Sequence, residues 1–358
     1  MVIYLIRRAL LSLFVIFVVV SGSFFLIRLM PGNPLDVIYQ QLVQQGLSPV
    51  EIQQRIQEIY NIEPHQPLII QYLSYLRAAA HGDLGTSVLS PGTSVVSVIA
   101  GAIPWTILVV AVSLIISFAI GVVVGMIMAS YANRPIGKIA TLVVTLLSAV
   151  PNYLLALVLI YVLADIHHVF PSTGPYSPDV EPGLNGPFIA SVANHAVLPI
   201  VASTVTSFGG WALAMKGSVV GTIGSDYIRA GESWGLTQRR IVQTYIGRNS
   251  MLPMVTSLAL ALGSMFGGSV FVENIFSYPG LGYYLVHSVT SRDYTEMMGC
   301  FILITVAVVV ANFAVDLLYP LVDPRIARVG DSGAARAARR RRLKAETSSS
   351  DVGGGAVA

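Results

Sequence analysis

Apolar residues come in long blocks along this chain, with the polar residues gathered in the gaps between them. A helix that crosses a bilayer needs about 20 mostly apolar residues. Six blocks reach that length, at 9–30, 104–130, 139–163, 196–215, 254–271 and 298–319. The fifth is the most dilute, because Gly263, Gly267 and Gly268 interrupt it. Glycines at such spacing suit close approach between helices. The pattern predicts an all-α polytopic membrane protein with six transmembrane helices. The first block follows Arg7 and Arg8 and lacks a small-residue cleavage site, so it reads as a retained helix and not a signal peptide.

The gaps carry patterns of their own. Residues 31–96 form a long polar insertion in which Ser48-Pro-Val-Glu51 has the spacing of a capped helix start. Helical runs are predicted at 50–60 and 67–80, followed by a turn at His81-Gly-Asp-Leu-Gly85. The gap at 165–195 is rich in proline and glycine and reads as an irregular loop. The longest polar interruption of the second half lies within 216–253. It begins as a short helix at 226–234 and meets Gly235, a residue free to stop a helix at positive φ. A second amphipathic run at 237–249 carries Arg239, Arg240 and Arg248, and Pro253 is expected to open the fifth block. A polar hairpin of this kind cannot lie in lipid, so it faces water or a partner.

Composition agrees with the blocks. Charged residues are only 11% and apolar residues 54%, with mean hydropathy +0.72; soluble domains carry about 25% charged residues. The net charge of +3 is small, but its placement sets an orientation. With the amino terminus inside, only Arg28, Arg55, Arg77 and Arg292 of the 21 lysines and arginines lie outside. Both termini and the 216–253 loop are then cytoplasmic, and 31–96 is extracytoplasmic. The single cysteine, Cys300, excludes an internal disulfide and a Cys-rich metal site. Beyond residue 323 the chain becomes a basic Ala/Arg/Ser/Gly tail, read as disordered and suited to anionic lipid rather than nucleic acid.

Candidate chemistry is sparse. No phosphate-binding loop is present, since Gly137-Lys138 lacks the upstream glycine and the following hydroxyl residue. Asp316 is the one ionisable group well inside an apolar block, and it is read as structural. Glu273 has two readings, a gate that meets a substrate amine or a carboxylate that holds the Tyr278-Pro-Gly280 turn. His167-His168 reads as loop, because adjacent helical residues point about 100° apart and suit one metal ion poorly. Asn152, Thr204, Ser207, Ser257 and Ser264 lie within blocks and offer hydroxyl or amide groups to a polar path. An ion-coupled carrier would need mid-membrane charge, and an intramembrane enzyme a catalytic pair. The blocks supply neither.

Several stretches together carry a family resemblance. They are Met30-Pro-Gly-Asn-Pro34, His81-Gly-Asp-Leu-Gly-Thr-Ser87, Phe271-Val-Glu-Asn-Ile-Phe-Ser-Tyr-Pro-Gly-Leu-Gly282, Arg292-Asp-Tyr294, Asn312-x-x-x-Asp316-x-x-Tyr319 and Asp323-Pro-Arg325. In this order and spacing the chain resembles a permease subunit of the dipeptide/oligopeptide branch of ABC importers. The 216–253 stretch resembles that family's coupling loop, with Arg229-Ala230-Gly231 at its opening positions and Gly235 at its glycine; the opening Glu is absent, and Gly231 and Trp234 depart from the common residues.

The resemblance implies a type I importer permease fold with a small extracytoplasmic helical insertion between the first two spans. It implies an organisation of 1–30 (amino end and first helix), 31–96 (insertion), 97–322 (permease core) and 323–358 (basic tail). It implies an ATPase-coupling site at Tyr227, Ile228, Arg229, Ala230, Gly231, Glu232, Ser233, Trp234, Gly235, Arg239 and Arg240, with Tyr227, Ile228 and Trp234 as apolar anchors. Asn152, Ser207, Ser264 and Glu273 are the candidates for a gate or substrate path. Implied partners are a second homologous permease, two ATP-binding subunits or one fused ATPase, an extracytoplasmic solute-binding protein and membrane lipid. ATP and Mg would bind the ATPase subunits, and this chain would hold no cofactor. Short peptides are the expected cargo; nickel, glutathione and haem are the alternatives within the branch.

Overall fold

A computed structural model describes residues 2–29, 39, 42–44, 46–52, 54, 67–87, 92–223, 225–237, 240–264 and 270–322. The described residues are helical apart from turns and one isolated bridge between Thr86 and Ser94. In chain order the helices are α1 (Val2–Leu29), α2 (Leu68–Ala80), α3 (Val95–Ser130), α4 (Pro135–Ala149), α5 (Asn152–Leu159), α6 (Gly186–Ile223), α7 (Asp226–Ser233), α8 (Arg248–Ser264), α9 (Val270–Ile275), α10 (Leu281–Thr290) and α11 (Tyr294–Val322). π-Helical segments follow α5 at Ile160–Ile166 and precede α8 at Ile241–Gly247. The chain forms two compact units, Met1–Phe313 and Ala314–Ala358; of the second, the described part is the end of α11.

Four helices are long and apolar enough to cross a membrane, or five if the bent pair α4 with 152–166 counts as one. Six spans were expected. The expected third span, 139–163, is broken and bent by 90°. The cause is Pro151, which forces the preceding Val150 out of the helical region to φ −74, ψ 123. The expected fifth span falls on α8, a 17-residue helix, while residues 265–269 lie outside the described residues. Pro253 sits inside α8 instead of opening it.

Two other spans are longer than their apolar blocks. α3 begins nine residues before Pro104 and runs 36 residues, about 54 Å at 1.5 Å per residue. Its added turns are recruited by packing: Val95, Ile99 and Ala102 are fully buried against Leu281 and Cys300. α6 likewise reaches back to Gly186, turning the end of the expected 165–195 loop into helix.

α3 and α6 form the central pair of the bundle. They approach closely because α3 presents glycine: a Cβ on Gly121 would lie 2.4 Å from Trp211 Cβ, and one on Gly125 2.5 Å from the Ala212 carbonyl oxygen. Close approach had been expected at Gly263, Gly267 and Gly268; Gly267 and Gly268 lie outside the described residues, as does any account of what surrounds Gly263.

Of the helical run expected at 50–60, residues 53 and 55–60 lie outside the described residues. Ser48 and Glu51 form the reciprocal cap: the Ser48 N–H and hydroxyl both donate to Glu51 Oε2, at 2.9 and 2.8 Å. The Ser48 backbone bond, then its side-chain bond, hold the Glu51 carboxyl below its ordinary range. α2 runs Leu68–Ala80, with Pro67 as the residue that precedes it, and docks on α1 through Phe24, which meets the Tyr72 and Tyr75 rings at 5.5 and 5.3 Å, with a 2.6 Å bond between Ser21 Oγ and Tyr72 Oη.

Candidate functional site

α7 is built by local signals. Asp226 places negative charge in its first turn, where the helix N-terminus favours it. At the other end the Gly235 N–H donates to the Glu232 carbonyl (3.0 Å) and the Leu236 N–H to the Gly231 carbonyl (3.2 Å). This is a Schellman closure, which needs a left-handed residue after the helix. Gly235 supplies it at φ +72. Leu236 then folds back so that its Cδ1 would lie 3.5 Å from a Cβ at position 231. Behind the helix, the Ser218 hydroxyl donates to the Ser250 carbonyl (3.0 Å) and the Ser250 hydroxyl to Thr222 Oγ1 (3.1 Å), joining the end of α6 to the start of α8.

The faces of α7 divide sharply. Ile228 (3% exposed) and Gly231 are buried. Ile228 joins a core of Val122, Ala129, Met215, Val219, Ile241, Ile246 and Met254. Tyr227, Arg229, Glu232, Ser233, Trp234, Gly235 and Arg240 are exposed, Trp234 at 75%, and Ala230 is half-buried. Arg239 lies outside the described residues. The structure therefore corrects one expected role. Ile228 is spent inside the chain's own core and is not an anchor for another protein; Tyr227 and Trp234 are the apolar groups left facing out.

Beneath α7 lies a cavity of about 400 Å³ bounded by α3, α6, the Ala132–Arg134 turn and the π segment. Arg134 at its mouth stacks over the Tyr131 ring, 5.5 Å from the centroid. Neither the cavity nor the π segment is legible in the sequence, because no spacing of residue types distinguishes a π turn from an α turn.

Glu273 belongs to a different construction. It is 0% exposed. Its Oε2 accepts the Gly282 N–H at 2.7 Å, and Thr106 Oγ1 from α3 accepts the adjacent Leu281 N–H at 2.8 Å. Side chains of α9 and α3 thus cap the first turn of α10, satisfying donors a helix start leaves open. Glycine is required at this point: a Cβ on Gly280 would lie 2.4 Å from Glu273 Oε2, and one on Gly282 2.4 Å from Val270 Cα. This geometry favours the turn-holding reading of Glu273 over the gate. Tyr278 completes the packing edge-to-face on Trp105 at 5.6 Å; burial, then the Glu273 carboxylate, push its phenol up.

Sequence reasoning missed a second buried carboxylate group nearby. Asp293 (1% exposed) and Glu296 (4%) both take the Ser87 hydroxyl as neighbour, at 2.8 and 2.9 Å, and Asp293 Oδ1 accepts the Glu296 N–H at the start of α11. The Gly-Asp-Leu-Gly turn is thereby pinned to α11, with a Cβ on Gly85 falling 2.8 Å from Thr295 Cγ2. The signal was the Arg292-Asp-Tyr294 and His81–Ser87 motifs, which gave no hint that they meet.

The remaining path candidates are scattered. Asn152 is half-buried at the start of α5, Ser207 and Ser257 are exposed, and the Ser264 side chain lies outside the described residues. The buried Thr204 hydroxyl has no hydrogen-bond partner among the described residues. His168 Nδ1 is hydrogen-bonded to the Ala164 carbonyl at a helix end. Among the described residues no group of three or more His, Cys, Asp or Glu side chains is placed to hold a metal ion.

Comparison with known proteins matches this arrangement. Residues 121–328 fit the model of the binding-protein-dependent transport system inner membrane component family. The oligopeptide transport system permease protein AppB of Bacillus subtilis is 33% identical over 327 residues, covering 90% of this chain and 98% of that one. The dipeptide transport system permease protein DppB of the same organism is 30% identical over 323 residues, covering 90% and 97%. Among solved structures, an inward-facing form of the MetNI methionine ABC transporter aligns with TM-score 0.51 and 19% identity, over 63% of this chain and 96% of that one; at that identity the likeness speaks for the fold. The chain therefore belongs to the binding-protein-dependent transport system inner membrane components, as a multi-pass permease subunit of the inner membrane.

Proposed function

We propose that this chain forms one half of the translocation pathway of an ATP-driven importer of di- and oligopeptides, and that α7 with Gly235 is where separate ATPase subunits act on it. The observation that carries the coupling reading is the division of α7. One side is locked into the permease core through Ile228, 3% exposed, while Trp234, the residue directly after the last of α7, stands 75% exposed. A short helix anchored from behind through Ile228 and presenting Tyr227 and Trp234 among the charged Arg229 and Glu232 in front suits a lever seated in a groove of another protein. Large exposed aromatics of this kind favour protein interfaces. The peptide cargo is supported by the relatives, which are described as oligopeptide and dipeptide permeases.

The partners follow from that reading: a second similar permease across the pathway, ATP-binding subunits against α7, and a solute-binding protein on the side of the 31–96 insertion. We also propose the six-span topology and the four-part organisation 1–30, 31–96, 97–322 and 323–358. The apolar sequence of the 254–271 block supports counting it as a further crossing. The orientation with both termini cytoplasmic is supported by the placement of lysine and arginine.

The test is gentle purification followed by reconstitution. An ATPase subunit is expected to co-purify, and peptide uptake into vesicles should require ATP together with that subunit. Uptake that persists with the ATPase removed would overturn the coupling reading.

A further inference from the structure

The floor under α7 is incomplete. A cleft of about 400 Å³ lies beneath it, room by volume for about a dozen waters. Its walls include the side chains that anchor α7 to the bundle: Met126, Ala129, Val219, Ile228, Ile241 and Ile246. Three of these, Ile228, Ile241 and Ile246, are themselves 3, 1 and 7% exposed. The exposed Ser130, Asn133, Arg134 and Glu232 line it as well, so the space is a cleft between α7 and the spans that opens to the surface.

One wall of that space is the π segment Ile241–Gly247. A π turn bonds residue i to i+5 and so holds one more residue per turn than an α turn; it is rare and collects at functional sites. Seven consecutive residues take this form here, and α8 follows at Arg248 with no break. If the segment gave up one residue to α-helical form, everything after it would rotate by about 100° and shift by about 1.5 Å along the axis. The segment also touches the lever: a Cβ at Gly231 would lie 3.9 Å from Ile241 Cγ1.

We propose that the cavity and the π segment together form a yielding joint: α7, when pushed, moves into the cavity, and the π segment converts to α-helix and turns α8. This rests on α7 being the coupling helix. The chemistry of the walls fits the motion: Met126, Ala129, Val219, Ile228, Ile241 and Ile246 slide past one another without hydrogen bonds to break, while the exposed Asn133, Arg134 and Glu232 stay in water. A packed floor would instead pass the push to α3 and α6 as one rigid body.

The experiment uses the assembled complex of permease and ATPase. In the unsubstituted complex, backbone hydrogen exchange of 241–247 is followed with and without trapped ATP. The joint predicts at least a tenfold change in exchange for these amides, while the mid-helix amides of α3 stay constant. Equal exchange in the two states overturns the proposal. In parallel, Ala129→Leu and Val219→Phe fill the cavity from two different helices. Each is expected to lower ATP-driven uptake at least tenfold while Trp234→Cys in the same background still cross-links to the ATPase. Uptake at the unsubstituted rate in both filled variants also overturns it. The coupling reading fails separately, if Trp234→Cys in the otherwise unsubstituted chain forms no cross-link in the assembled complex.

Discussion

The two ends of α3 are finished in opposite ways. Around its Val95 half, polar groups are buried and closely matched: Glu273 and Thr106 cap α10, and Ser87, Asp293 and Glu296 fasten the Gly-Asp-Leu-Gly turn to α11. Glycines there are indispensable because backbone or carboxylate fills the space a side chain would need. Around the Ser130 end, the packing is looser and open to one side, with the Ser218, Ser250 and Thr222 hydrogen bonds set behind α7. α7 stands over a cavity, Trp234 projects outward, and neither Gly235 nor Gly231 is crowded. If α7 is the coupling helix, one end keeps its shape and the other is met by the ATPase and moved. Buried polar groups hydrogen-bonded to backbone make a region costly to deform, whereas an open cleft leaves room for displacement.

The largest expected effect lies at the closed end. Gly282→Ala drives a methyl to 2.4 Å from Val270 Cα, and backbone cannot step aside cheaply. A loss of about 3 kcal/mol or more is expected, read as a fall in thermal stability or in folded yield in detergent. If Gly282→Ala melts with the unsubstituted chain, the contrast between the ends is wrong. Next comes Glu273→Ala, which strands the buried Gly282 N–H and should cost about 1–3 kcal/mol. Glu273→Gln retains an acceptor and should recover most of that. A gate that reads a cationic substrate would show the reverse signature, with the glutamine variant stable but impaired in uptake.

At the open end the glycines separate from each other. Gly235→Ala must hold alanine at φ +72, at about 1–2 kcal/mol. Gly231→Ala meets only ordinary contacts, 3.5 Å to Leu236 and 3.9 Å to Ile241. It should leave stability unchanged or raise it by about 0.5–1 kcal/mol, since alanine is the better helix former. Equal destabilisation by the two substitutions would show that α7 is packed more tightly than its surroundings indicate.

The smallest effect is in the insertion. Glu51's carboxyl is held below its ordinary range by the Ser48 backbone bond. A group lowered on folding contributes above its unfolded value and loses that contribution as pH falls through the folded one. The local cap should therefore persist at neutral pH and fray only in acid. An NMR titration of the Glu51 side chain that shows an ordinary midpoint would remove the capping box.

Much of this was readable from residue order, because each legible feature had a local cause. Blocks of apolar residues located the helices, Ser48 and Glu51 announced their cap, and Gly235 its left-handed turn. What escaped reading was set by distant packing. α3 extends past Pro104 because Val95 and Ile99 find Leu281 and Cys300, residues far along the chain. Pro151 was visible, but its apolar surroundings concealed a 90° bend. Ile228 looked like an anchor for a partner because hydrophobicity does not say which apolar surface a side chain will choose. The coupling candidates are contiguous and so could be named in advance; the carboxylate clusters join residues up to 209 positions apart and could not.

The central claim is that the exposed face of α7 transmits work without supporting the fold. Trp234→Ala measures this directly, because Trp234 is 75% exposed and contributes little to packing within the chain. Melting should shift by no more than about 0.5 kcal/mol equivalent, while ATP-driven peptide uptake by the reconstituted complex falls at least tenfold. Unchanged uptake at unchanged stability would contradict the account.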